Sequence, residues 1–195
     1  KESIALGLGG VVRQTYYSLN PILARALAGD LAGARFAPAY RITGLSILVS
    51  VYFGAAALPA MVRLYHSNRR ELNRFTLRWS ILLFMIGSAF AGFLFIFREQ
   101  IIVTLFGADY ADSASVLGPM CITTIMIHVG GIVLVRLVAE GRDHAALFVS
   151  IAGLAANVIV NIILTPRWGA EGAAWASVAT ETVVALGACA ALIVK

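Results

Sequence analysis

The chain has 195 residues, of which 60% are hydrophobic and 13% charged, with a formal net charge of +5. Soluble domains carry roughly 45 to 50% apolar and about 25% charged residues, so a water-soluble core is excluded as the organising principle. The positive balance does not point to nucleic acid either, because the basic residues sit in short connections between apolar segments, as in a membrane topology signal.

Six apolar spans are expected, at about 4–27, 37–64, 75–97, 113–139, 145–164 and 172–194. Each is close to the roughly 20 residues that a helix rising 1.5 Å per residue needs to cross about 30 Å of hydrocarbon. No connection is long or polar enough to divide them, so the expectation is an all-α integral membrane protein, a single six-helix bundle over 1–195.

The first span carries Arg13 near its middle, which also argues against a signal-peptide core. An arginine at a helix centre costs about 2.5 to 3.5 kcal/mol on insertion scales, against about 0.3 to 0.6 returned by each Leu, Ile or Val. Its guanidinium must be satisfied by protein, water or ligand. Arg13, Tyr17 and Asn20 fall at i, i+4 and i+7 and form one stripe, widened by Gln14 and Tyr16. Such a stripe faces a wet cavity or another polar helix, and its guanidinium is suited to an anion or to a structural acid. The glycines Gly7 to Gly10 lack the preceding strand and following Lys of a phosphate loop and read as small residues at a helix interface.

In the second span, Arg41 lies early, at a cavity mouth or among headgroups, and Pro59 predicts a kink. The basic connection from Arg63 to Arg74 is the main topology signal. Counting Lys and Arg on alternate sides gives nine (Lys1, Arg63, Arg69, Arg70, Arg74, Arg78, Arg136, Arg142, Lys195) against five (Arg25, Arg35, Arg41, Arg98, Arg167), which places both ends in the cytoplasm. After the third span, residues 98–113 suit a short interfacial helix with Ile101, Ile102 and Leu105 toward acyl chains and Arg98 and Glu99 toward water. Trp79, Trp168 and Trp175 lie near span ends, as interfacial belt residues do.

His128 in the fourth span reads as a hydrogen-bonded packing residue or a proton relay, and Arg136 as a snorkelling cation or a cavity residue. Asn157 and Asn161 in the fifth span share a helical face that must contact another helix rather than lipid. In the sixth, Glu181 is the one acid placed deep in a span, beside Thr180 and one turn from Ser177. It is a candidate for ion coupling, for structural pairing with Arg13 or Arg136, or for a water-facing position. Cys121 and Cys189 lie in apolar segments, and no His, Cys or acid spacing suggests a metal. With no nucleophile elbow, paired carboxylates or nucleotide fingerprint, neither enzymatic activity nor a cofactor is expected.

Several of these residues fall in a familiar order. Gly141-Arg142, then Asn157-x3-Asn161, then Pro166-x2-Gly169-x2-Gly172-Ala173-Ala174 resembles the C-terminal half of the polysaccharide-type, lipid-linked oligosaccharide flippases of the multidrug/oligosaccharidyl-lipid/polysaccharide exporter superfamily. The segment Leu105 to Tyr110 followed by Ala114 and Leu117, and the triplet Ala39-Tyr40-Arg41, fit the same family. Asn20 departs from it, since the family often carries an aspartate nearby. The resemblance implies one lobe of a two-lobe transporter of the O-antigen translocase type in the bacterial inner membrane. The N-terminal lobe would be missing from a chain that begins with Lys1. It further implies polyprenyl-pyrophosphate-linked oligosaccharide as substrate, membrane lipid and the glycan polymerase machinery as partners, and flipping by alternating access. Arg13 is then the first candidate anion contact, with Tyr17 and Asn20 toward sugar and Arg41 and Arg136 secondary. The alternatives are a drug or cation antiporter of the same superfamily, which buried acids would favour, and a non-transporting membrane scaffold, which predicts dry packing around both Arg13 and Glu181.

Overall fold

The computed structural model describes residues 2–194, with side chains from residue 8 onward; Lys1 and Lys195, both used in the topology count, lie outside the described residues. The order is α1 (Glu2–Ser67), α2 (Arg69–Ile96), α3 (Arg98–Phe106), a 3-10 turn (Ala108–Tyr110), α4 (Ser113–Ala139) and α5 (Asp143–Ile193). Helix is the expected solution for so apolar a chain, because every backbone polar group in hydrocarbon must be bonded within its own segment.

Four of these helices are long and apolar enough to cross a membrane, rather than six separate ones. The difference arises at two glycines. Gly29 in α1 (φ 88°, ψ 175°) and Gly169 in α5 (φ 57°, ψ −133°) break the helical backbone with no intervening loop. A positive φ is cheap only for a residue without a Cβ. The expected spans 4–27 and 37–64 are thus the two arms of α1, and 145–164 and 172–194 are the two arms of α5. Both helices fold back on themselves. A Cβ added to Gly33 would stand 2.9 Å from that of Arg25, and one added to Gly172 would stand 2.4 Å from the Leu164 carbonyl oxygen. The Pro-x2-Gly-x2-Gly-Ala-Ala order now has a physical account: Gly169 makes the bend, Gly172 permits the close approach, and Ala173 and Ala174 are fully buried behind it.

The other junctions follow local chemistry. Asn68 caps α2 by accepting a 3.1 Å bond from the Glu71 amide. Beyond α4, Gly141 (φ 70°) sits in a Schellman turn, with its amide bonded to the Val138 carbonyl and that of Arg142 to the Leu137 carbonyl. Pro59, where a kink is expected, lies within α1, whose non-helical residue is Gly29 instead. The short helix after α2 is present, but Ile102 is fully buried in the bundle core, not turned to lipid, while Leu105 is exposed.

α4 is the central helix: 61% of its apolar window is buried, against 22 to 28% for the other three. Around it the interior divides into three layers. One apolar end holds Phe36, Leu94, Ile102, Leu117 and Met120 near the Gly29 and Gly169 bends. The other holds Met61, Leu72, Leu83, Leu137 and Val184 near the α1–α2 and α4–α5 junctions. Between them lies a polar layer, and the outer wall is apolar, with Phe84, Met85, Ile96, Phe148, Ile159 and Leu186 exposed as lipid contacts require.

Candidate functional site

The polar middle layer is built where the first arm of α1 meets both arms of α5. Asn20 is its hub. Its side-chain oxygen accepts from Asn157 Nδ2 (2.8 Å) and Asn161 Nδ2 (3.1 Å), and its own Nδ2 donates to Ser177 Oγ (3.0 Å). Asn157 also donates to Thr180 Oγ1 (2.9 Å), and Thr165 Oγ1 donates to Asn161 Oδ1 (2.9 Å). Asn157 and Asn161 are both 0% exposed, so the face they share is fully occupied by protein. One turn along α1, Tyr16 Oη donates to Glu181 Oε1 (3.1 Å), and Glu181 is 2% exposed. Beside this network a void of about 10 Å³, bordered by Tyr17, Asn20, Thr180 and Glu181, has room for roughly one water.

Arg13 occupies a different setting. It lies half-buried on the wall of a cavity of about 250 Å³ between the two arms of α1, α4 and the start of α5. Ser50, Val51, Gly54, Val135 and Ser150 are among the other walls. Arg13 Nε, Ser50 Oγ and Tyr17 Oη are buried and make no hydrogen bond. Among the described residues no acid lies within 4.0 Å of Arg13, so Glu181 is a neighbour in the same layer and not its ion-pair partner.

The expected stripe is therefore split. Arg13 borders open space, Tyr17 is buried beside it, and Asn20 lies inside the bundle with its carboxamide engaged on both sides. Arg41 is exposed on the bundle surface. Arg136 is tied down by Glu140 (3.0 Å) and Asn73 (2.5 Å), which joins α4 to α2. His128 is buried with Nδ1 2.8 Å from the Thr124 carbonyl oxygen one turn back on α4. Sequence reasoning missed Thr43, Ser46 and Ser50 on the second arm of α1, although they recur at i, i+3 and i+7. Thr43 borders the small void and Ser50 the larger cavity, so this stripe runs opposite Asn20 to Arg13.

No family model matches the chain, and no curated protein matches it. Solved structures do. A transporter described as MATE in complex with MaD3S superposes with a TM-score of 0.87 at 18% identity, over 99% of this chain and 44% of its own. The chain has the fold of one half of a MATE transporter. Two more structures agree. A MOP superfamily transporter from Pyrococcus furiosus, described as having a binding pocket of reverse polarity that suggests a different function, gives 0.83 at 17% identity over 99% of this chain and 44% of its own. An outward-facing multidrug resistance MATE transporter gives 0.81 at 18% identity with the same coverage. The superfamily level of the expected resemblance thus holds as a fold, but the flippase branch is not singled out. The chain spans less than half the length of these MATE and MOP structures.

Proposed function

We propose that this chain is one lobe of a two-lobe membrane exporter of the multidrug type, in which six crossings rock against a companion lobe to give alternating access. The observation that supports it is the cavity of about 250 Å³ between the two arms of α1, α4 and the start of α5, inside a fold shared with half of a MATE transporter. A packed scaffold would leave both deep charges dry; here Glu181 is enclosed but Arg13 is not. Two lobes with polar groups near the bilayer midplane meet the geometric requirement for alternating access. The excess of Lys and Arg on one side supports an orientation with both ends of the lobe in the cytoplasm.

A second reading, flipping of polyprenyl-pyrophosphate-linked oligosaccharide, is favoured by one specific feature. The cavity wall carries a cation with no acid within 4.0 Å among the described residues, while the deep acid is turned inward onto Tyr16. A guanidinium in low dielectric suits a pyrophosphate better than a cationic drug.

The two readings separate in cells. The protein is expressed from its native coding sequence in an efflux-deficient bacterium and, separately, in a flippase-deficient one. Reduced drug accumulation in the first, weakened by Arg13→Gln at matched protein levels, is the expected result. Restored surface glycan in the second strain, with no change in drug accumulation, would instead establish the flippase reading.

A further inference from the structure

A second concavity lies on the opposite flank of the bundle from the Arg13 cavity. It is a groove of about 510 Å³ between α2 and α4, with Trp175 of α5 at its side. Its floor is made of small residues, Ala91, Gly92 and Gly118, and its deeper part is lined by Ile122 and Ile125. Ser115 and Ile125 stand ten positions apart on α4, or about 15 Å at 1.5 Å per residue, which is about half of the roughly 30 Å hydrocarbon core. The groove therefore runs through about one leaflet.

One cation stands at its outer end. Arg98, the first residue of α3, lines the groove where α2 has just finished, and its guanidinium lies over the Phe95 ring, 4.9 Å from the centroid. Among the described residues it has no acid within 4.0 Å, unlike Arg25, Arg35, Arg74 and Arg136. A single unpaired guanidinium at interface depth, above an apolar trough one leaflet deep, matches a molecule with an anionic head and an acyl chain. We propose that this groove is a binding site for one anionic phospholipid, with the phosphate at Arg98, whose guanidinium lies beside Gly118, and an acyl chain laid over Gly92 and Ile122. The site is independent of the cargo and would hold the interfacial helix α3 at a fixed depth.

The test is native mass spectrometry of the protein expressed from its native coding sequence, titrated with phosphatidylglycerol or phosphatidylcholine. Wild type is expected to retain one more phosphatidylglycerol than phosphatidylcholine. Arg98→Gln removes the charge and should weaken that retention about fivefold, as expected for one basic residue at a lipid surface. Gly92→Leu fills the trough while keeping Arg98. No atom lies within 4 Å of a Cβ at Gly92, so this variant has room to fold and should also lose the extra lipid. Equal retention of the two lipids by wild type, or wild-type retention of phosphatidylglycerol by either variant, overturns the proposal.

Discussion

At the scale of single residues, the chain treats its two deep charges differently. Glu181 is enclosed and accepts from Tyr16, so the pair behaves as a buried hydrogen-bonded unit. Glu181→Gln keeps an acceptor for Tyr16 and nearly the same volume, whereas Glu181→Leu strands the phenol. The leucine variant is expected to unfold at lower temperature in detergent, with a loss of about 1 to 3 kcal/mol, and the glutamine variant to stay near wild type. Asn20 carries a larger share of the packing, since three side chains on α5 bond to its amide. Asn20→Leu removes those partners together, and thermal melts should show a greater loss than for Arg41→Gln, an exposed site where almost no change is expected. A melt in which the two variants matched would show that the amide network contributes little.

At the scale of elements, two long helices owe their reversal to glycine. Gly169→Ala places a Cβ at φ 57°, ψ −133°, backbone that glycine alone adopts freely, and should cost about 1 to 3 kcal/mol. Gly172→Ala should be worse, because its Cβ would press to 2.4 Å from backbone that has no side-chain freedom to move. Expression level and monodispersity in size-exclusion chromatography report on both, with the order Gly172→Ala below Gly169→Ala below wild type. If Gly172→Ala were tolerated like wild type, the close approach of the α5 arms would be in error.

At the scale of the whole molecule, the bends at Gly29 and Gly169 and the helix α3 share one apolar end of the bundle, while the α1–α2 and α4–α5 junctions share the other. Six crossings follow only if those ends lie on opposite sides of a membrane. After Cys121 and Cys189 are replaced by serine, single cysteines at exposed Ala111 or Trp168 should react with a membrane-impermeant maleimide from one side, and one at Ser67 from the other. Labelling of Ser67→Cys and Trp168→Cys from the same side would contradict that topology.

By itself, the sequence determined that the chain is helical and membrane-sized, and that certain polar groups could not face lipid. Hydrophobic run length, the cost of a bare carboxamide in hydrocarbon and the rarity of a mid-span arginine are local properties, and Asn157, Asn161, Arg13 and Glu181 were visible by them. Which partner each group took was not local. Arg13, Tyr17 and Asn20 share a helical face in the sequence, yet about two turns of α1 separate a guanidinium bordering open space from a carboxamide enclosed by α5. Only tertiary packing decides that, because the second arm of α1 covers one part of the stripe and α5 another. The same holds for Ile102, which an amphipathic pattern turns toward lipid but which packs in the core, and for Arg136, whose partners are Glu140 at the end of α4 and Asn73 on α2.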